Sequence, residues 1–314
     1  MITYFKRIGV ITLILLLLAA CSTEAPGSAN ETEENTDKQG EEGVKVGFSV
    51  STLNNPFFVT LRDGAKAGAK EAGYELVTVD AQNDPSTQLS DIEDLLQQDI
   101  DVLLVNPVDS SAIVSAIELA NDKEVPVITV DRSAEGGEVK THIASDNVKG
   151  GEMAGEFIAE QLGEAGNVVE LEGIAGASAT RERGEGFHNR IDQLDKVEIA
   201  ASQSADFDRT KGLAVMENII QSVGDFEAVF AHNDEMALGA VEALAAQNLL
   251  KDVIVVGFDA TDDAVAAVEE GTMAATIAQQ PELIGEHAIE AVEKIINGEE
   301  VEAFIPVELQ LITK

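Results

Sequence analysis

Trp is absent, Tyr occurs twice, and only one of the 314 residues is Cys. A single cysteine, Cys21, excludes a disulfide within the chain and any thiolate metal cluster. The four histidines, His142, His188, His232 and His287, are scattered without metal-ligand spacing, so no metal and no catalytic set is assigned. The G-x-S-x-G elbow, the P-loop and the H-E-x-x-H helix are all missing, which leaves no motif for common hydrolytic or phosphoryl-transfer chemistry. Basic residues are scarce too: 20 Lys and Arg stand against 58 Asp and Glu, a formal net charge of -38. Such a surface repels nucleic acid and anionic membrane. It also suggests a salty or alkaline setting, where screening relieves self-repulsion. Beyond residue 44 there is no linker rich in Gly, Pro and Ser, so a crossover near Ser145 is expected as a tight hinge rather than a tether.

What is present begins with an address. Lys6 and Arg7 precede an apolar run from Ile8 to Leu18, too short for a membrane span of ~20 residues and suited to a signal peptide. Leu18-Ala19-Ala20-Cys21 resembles the lipobox of bacterial lipoproteins, in which the cysteine is acylated and becomes the mature N-terminus; residues 1–20 are then removed. That removal takes away Lys6 and Arg7 and no acidic residue, so the formal charge moves from -38 to -40. Residues 22–43 hold seven Asp or Glu, one Lys and no apolar side chain larger than Ala or Pro, so 21–43 reads as a solvated acidic tether. As a coil it would span roughly 25 Å. The membrane is reached only through the lipid.

From Val44 onward the pattern alternates apolar strand and amphipathic helix, the sign of parallel βαβ units. Strands are expected at 44–50, 74–80, up to Asn106, 126–131 and 141–145, and again at 167–172, 197–202, 227–231, 252–258, 273–278 and 307–311. Helices are expected at 57–72, from Asp84 as N-cap with Pro85 next, from about Ser110, and at 147–162, 180–194, 208–222, 234–247, 261–270 and 281–297. The 271 residues from Val44 suit two lobes rather than one small core. Two doubly wound parallel-sheet lobes joined by a hinge, with a ligand in the cleft, are the simplest account.

A repeat marks the cleft. VLLVN ends at Asn106 and VPVITVD at Asp131, 25 residues later; AVFAHN ends at Asn233 and VIVVGFD at Asp259, 26 residues later. Parallel sheets bind ligands beyond the carboxyl ends of their strands, so each lobe points an Asn and an Asp at the same place. Amides and carboxylates offer dense hydrogen bonding to a polyhydroxyl compound. Each of these residues could instead cap a turn or helix, a reading that the repetition weakens. The turn Ser51-Thr52-Leu53-Asn54-Asn55-Pro56-Phe57-Phe58 adds two adjacent aromatics, whose faces suit the C–H faces of a sugar. Arg132 follows Asp131, and Arg181 and Arg183 open a helix of the second half; one of that pair could form a surface ion pair instead. GIAGA, 173–177, lacks dinucleotide-loop spacing and reads as a close backbone turn. Asp131 and Asp259 could serve as a glycosidase pair, but their Arg neighbours are expected to keep both ionised, leaving no general acid.

STLNNPFFVTLRDGA, LLVNPVDS, PVITVDR, HIASDN, GIAGASATRERGEGF, ADFDR, NDEMALGA, VVGFDAT and AATIAQQP together resemble the ribose-binding members of the periplasmic-binding-protein-like family. That family serves bacterial ABC transporters and also contains LacI-type repressor cores. The likeness runs from about Val44 to the C-terminus. It implies a sugar gripped in the first lobe by Asn55, Phe57, Phe58, Asn106, Asp131 and Arg132, and in the second by Arg183, Phe207, Asn233, Asp259 and Gln279. Phe207 would face the NNPFF turn as the other wall of an aromatic sandwich; a one-residue difference in loop spacing before it leaves the motif intact. It implies discontinuous lobes, 44–145 plus about 280–306 and 146–279 plus about 307–314, with three hinge crossovers. D-ribose is the implied ligand, with allose or a furanosyl signalling compound as the alternative. A permease with a cytoplasmic ATPase is the implied partner, a chemoreceptor a further one, and no cofactor and no catalysis are implied. A repressor would need a helix-turn-helix where this chain carries a signal segment, and a basic surface.

Overall fold

The computed structural model describes residues 43–314. Cys21, the segment read as a signal peptide and nearly all of the stretch read as an acidic tether lie outside them. The first sheet is built from β1 (Lys45–Val50), β2 (Glu75–Asp80), β3 (Val102–Val105), β4 (Val127–Val130) and β5 (Thr141–Ser145), interleaved with α1 (Pro56–Ala72), α2 (Pro85–Leu96) and α3 (Val114–Asp122). The second repeats the plan with β6 (Gly166–Glu172), β7 (Val197–Ser204), β8 (Ala228–Ala231), β9 (Ile254–Asp259) and β10 (Ala275–Ala278). Its helices are α4 (Asn147–Leu162), α5 (Ser178–Ile191), α6 (Arg209–Ser222), α7 (Asp234–Ala246) and α8 (Asp262–Glu270). After α9 (Pro281–Ile296) come β11 (Phe304–Val307) and β12 (Gln310–Thr313).

The strand orders are β2-β1-β3-β4-β5-β11 and β7-β6-β8-β9-β10-β12. All pairings are parallel except β10 with β12. The same winding therefore occurs twice, and in each sheet the order reverses between its first and third strands, where the carboxyl ends open a crevice. Helices cover both faces of each sheet, which is why the inner strands are continuous apolar runs such as VLLV in β3 and AVFA in β8. One apolar cluster of the first sheet joins β1, β3 and β4 to α1 and α9; the other face packs α2 and α3. The second sheet is layered likewise, with α4 and α5 on one face and α6, α7 and α8 on the other.

Local signals account for the helix starts. Asp84 accepts from Thr87 N at 2.7 Å ahead of Pro85, Asp146 caps α4, and Asp208 caps α6. Two boundaries differ most from expectation. α3 starts at Val114, not Ser110, because the Asp109 carboxylate accepts from the amides of Ser111 (2.9 Å) and Ala112 (2.8 Å) and holds 109–112 in a turn. The final strand expected at 307–311 is two strands: β11 lies beside β5 in the first sheet and β12 beside β10 in the second. One extended segment cannot serve two sheets, so the chain breaks at Glu308 and Leu309 to change sheets.

Candidate ligand-binding site

A small cavity lined by buried residues lies where the carboxyl ends of the two sheets meet. Asn55, Phe57, Phe58, Asp131 and Arg132 line it from the first sheet's side, and Arg183, Phe207, Asn233, Asp259 and Gln279 from the second's, together with Ala179. Of the residues that the family likeness sets against a ligand, Asn106 alone does not line it. It stands one layer behind, fully buried, accepting from Ser51 N at 3.2 Å and donating to Val130 O (3.1 Å) and to Asp131 Oδ2 (3.2 Å). Asn106 thus ties the ends of β1, β3 and β4 and aims the Asp131 carboxylate.

The cap and cavity roles coincide in two residues. Asn55 caps α1 by accepting from Phe57 N at 2.9 Å, and this places Phe57 and Phe58 edge-to-face, ring centroids 5.2 Å apart. Asn233 caps α7 by accepting from Met236 N at 3.0 Å, while its Nδ2 donates to Phe207 O at 3.3 Å. Asp131 and Asp259 cap no helix. Both sit at positive φ, 64° and 119°, and Phe207 is also left-handed at 59°. Such conformations cost of order 1–3 kcal/mol each and persist where the surroundings overdetermine them. Gly173 allows the Phe207 placement: a Cβ there would lie 2.0 Å from the ring, so the turn read in GIAGA is the floor on which Phe207 rests.

The arginines are fixed from behind. Arg183 donates from Nε to Asn147 Oδ1 at 2.9 Å and from Nη1 to His232 O at 2.6 Å, with its guanidinium 3.8 Å from the Phe258 ring centroid. His232 itself meets the buried Glu170 carboxylate at 2.9 Å. Arg132 donates to Pro107 O at 3.3 Å, and its Cζ lies 5.0 Å from the centroids of both Phe58 and Phe207. The aromatic walls from the two lobes therefore share one cation. Arg181 has the other fate foreseen for the pair, an exposed ion pair with Glu135 at 2.9 Å across the lobes. Beside it Ser110 N donates to Gly176 O (2.9 Å) and Ser133 N to Ser178 Oγ (2.9 Å), so the rim is stitched shut around the cavity.

Two carboxylates and two guanidinium groups meet in this space, with Arg132 Nε 3.7 Å from Asp131 Oδ2 and Arg183 Nη1 3.8 Å from Asp259 Oδ1. The arginines do not hold these two acids below the ordinary carboxyl value. Burial outweighs the neighbouring cations and raises the Asp131 pKa; it raises that of Asp259 well above the ordinary carboxyl value. Burial likewise lowers Arg132 to about 10. The 3.7–3.8 Å separations are too long for direct hydrogen bonds, which is why the cations compensate only in part. Polar atoms are left over: Asp131 Oδ1, Arg132 Nε and Gln279 Oε1 are buried without a protein partner. Buried orphans of this kind mark a place made for polar company.

Phe207 and Gln279 are named by the family likeness alone, and Ala179 by neither the residue pattern nor that likeness. Phe207 could have been suspected from its rarity, one of 11 Phe, set between two Asp. Gln279 follows the last residue of β10 and donates to Asp259 Oδ1 at 2.9 Å, so it meets the carboxyl-end rule already applied to the other strands.

The chain matches the model of the periplasmic binding protein domain over residues 46–300. It belongs to that family. Ribose import binding proteins are among its relatives: that of Bacillus subtilis is 55% identical over 310 residues, 98% of this chain and 99% of the relative. That of Escherichia coli is 49% identical over 298 residues, 95% and 97%. Among solved structures, an ABC transporter solute-binding protein of Bacillus halodurans with bound myo-inositol superposes with a TM-score of 0.81 at 35% identity, covering 86% of this chain and 96% of that one. The fold expected from the sequence, two α/β lobes with parallel sheets, is the fold of this family.

Proposed function

We propose that this chain is the extracytoplasmic solute-binding protein of an ABC importer, that it captures D-ribose in the inter-lobe cavity, and that it makes and breaks no bond. The observation that carries the reading is the convergence of ten sequence-named residues on one cavity, with hydrogen-bonding atoms left unpaired inside it. Aromatic faces for C–H surfaces, carboxylates for hydroxyl donors and guanidinium groups for hydroxyl acceptors are the chemistry a neutral polyol needs. The similarity to ribose import binding proteins points to ribose in particular.

The lobes are taken as 44–145 with about 280–306, and 146–279 with about 307–314, hinged where the chain crosses between sheets. Opening there would break the rim contacts and admit the sugar. The closed form would then be presented to a permease with a cytoplasmic ATPase, and a chemoreceptor is a further reader of the same closed form. Cys21, acylated after removal of residues 1–20, would hold the protein to the membrane; Cys21→Ser should block that processing, and normal processing of the variant would refute it. Calorimetry against pentoses and hexoses tests the ligand. Ribose is expected to bind tightest, and tighter binding of allose or of a furanosyl compound, as in the Actinobacillus succinogenes relative solved with D-allose, would shift the assignment within the same site.

A further inference from the structure

One buried carboxylate next to the cavity has no part in the site as described. Asp234 opens α7 directly after Asn233, is fully buried, and does not line the cavity. Its two oxygens are fully engaged. Oδ2 accepts from Thr261 N at 2.8 Å and from Thr261 Oγ1 at 3.3 Å, and Oδ1 accepts from Thr276 Oγ1 at 2.7 Å. The Thr276 hydroxyl in turn accepts from Ala260 N at 3.2 Å. The two backbone amides that follow Asp259 are thus held by Asp234, one directly and one through Thr276.

Those amides belong to the most strained turn in the site. Asp259 has φ 119° and Ala260 has φ 56°, two successive non-glycine residues in a region that L side chains avoid. A turn of this kind relaxes unless its amides are captured. Room for the capturing carboxylate is made by Gly257, where a Cβ would lie 2.3 Å from Asp234 Oδ1. The helix N-terminus adds favourable potential for a carboxylate at that position.

We propose that Asp234 is a positioning residue: through Thr261 and Thr276 it holds the Asp259 turn in the conformation that turns the Asp259 carboxylate into the sugar cavity. The inference rests on the ligand site proposed above. It assigns Asp234 no contact with the sugar. A merely structural role would stabilise the fold and leave ribose affinity in the folded protein unchanged, whereas a positioning role acts only as long as Asp259 is there to be positioned.

A double-mutant cycle separates the two. D234A removes both acceptors, and T276V keeps the volume of Thr276 while removing the relay to Ala260, which secures the test if D234A folds poorly. D-ribose binding is measured by calorimetry on each, in the wild-type and D259N backgrounds, on samples shown to be folded by thermal melting. Both variants should weaken ribose binding roughly tenfold alone and less than about twofold once Asp259 is already Asn. D234N, which keeps one acceptor, should fall between D234A and wild type. Equal losses in both backgrounds, or no loss in either variant, would overturn the positioning role while leaving the site intact. Wild-type affinity in D259N alone would overturn the site reading and this inference with it.

Discussion

Replacing Asp131 by Asn tests the cavity at the point where the sequence and the structure meet. Asn has the shape of Asp and tolerates the left-handed backbone at φ 64°, so the turn survives. The Asn carbonyl can still accept from Asn106 Nδ2, now at 3.2 Å, by turning its amide nitrogen toward the cavity. What is lost is the acceptor at Oδ1, which no protein group engages and which would take a sugar hydroxyl. A hydrogen bond to a charged group is worth roughly 1.5–3 kcal/mol, so ribose affinity should fall about 10- to 150-fold. The sugar-free protein should melt within about 3 °C of wild type, since no apolar packing changes and the buried amide keeps its partner. Calorimetry gives the first number and differential scanning calorimetry the second. Wild-type affinity would remove Asp131 from the site, and a collapsed melting temperature would show that its role is to hold β4 to β3 rather than to bind.

Gly173→Ala should displace the Phe207 ring, because the new Cβ would sit 2.0 Å from it; ribose binding should weaken more than about tenfold, as expected for loss of a stacked aromatic wall. Unchanged affinity in that variant would mean that Phe207 does not pack on the ligand. The Asp234 pKa is raised to about 7 by burial, opposed by the Thr276 and Thr261 hydrogen bonds. The folded state therefore holds this proton where the unfolded chain, at about 3.9, has released it. That contribution to stability is present below about pH 4 and lost as pH rises toward 7. Relative to D234N, which cannot titrate there, wild type should lose stability over this range in denaturant titrations; a difference independent of pH would place the Asp234 pKa elsewhere.

Much of this protein was legible before any coordinates. Strand and helix period are local properties, so the βαβ alternation, the cap at Asp84 and the restart after Ser145 could be read directly. The carboxyl-end rule turns that local pattern into a place in space, which is why the Asn and Asp at 106, 131, 233 and 259 and the Phe turn were found together. Tertiary structure decided the rest. Which residues line the cavity and which stand behind depends on depth: Asn106 and Asn233 end equivalent strands, yet the first braces Asp131 and the second lines the cavity. Gly173 under Phe207, and Thr276 under the Asp259 turn, are contacts between segments far apart in the chain, and no spacing announces them. The last apolar stretch looked like one strand because pairing partners are not written into a strand's own pattern; only the two sheets determine that it divides at Glu308 and Leu309. The direction in which the pKa values of the acids shift is hidden for the same reason. An Arg beside an Asp in sequence promises an ion pair, but it is burial, set by the closing of two lobes around the cavity, that raises both carboxyl pKa values above the ordinary range.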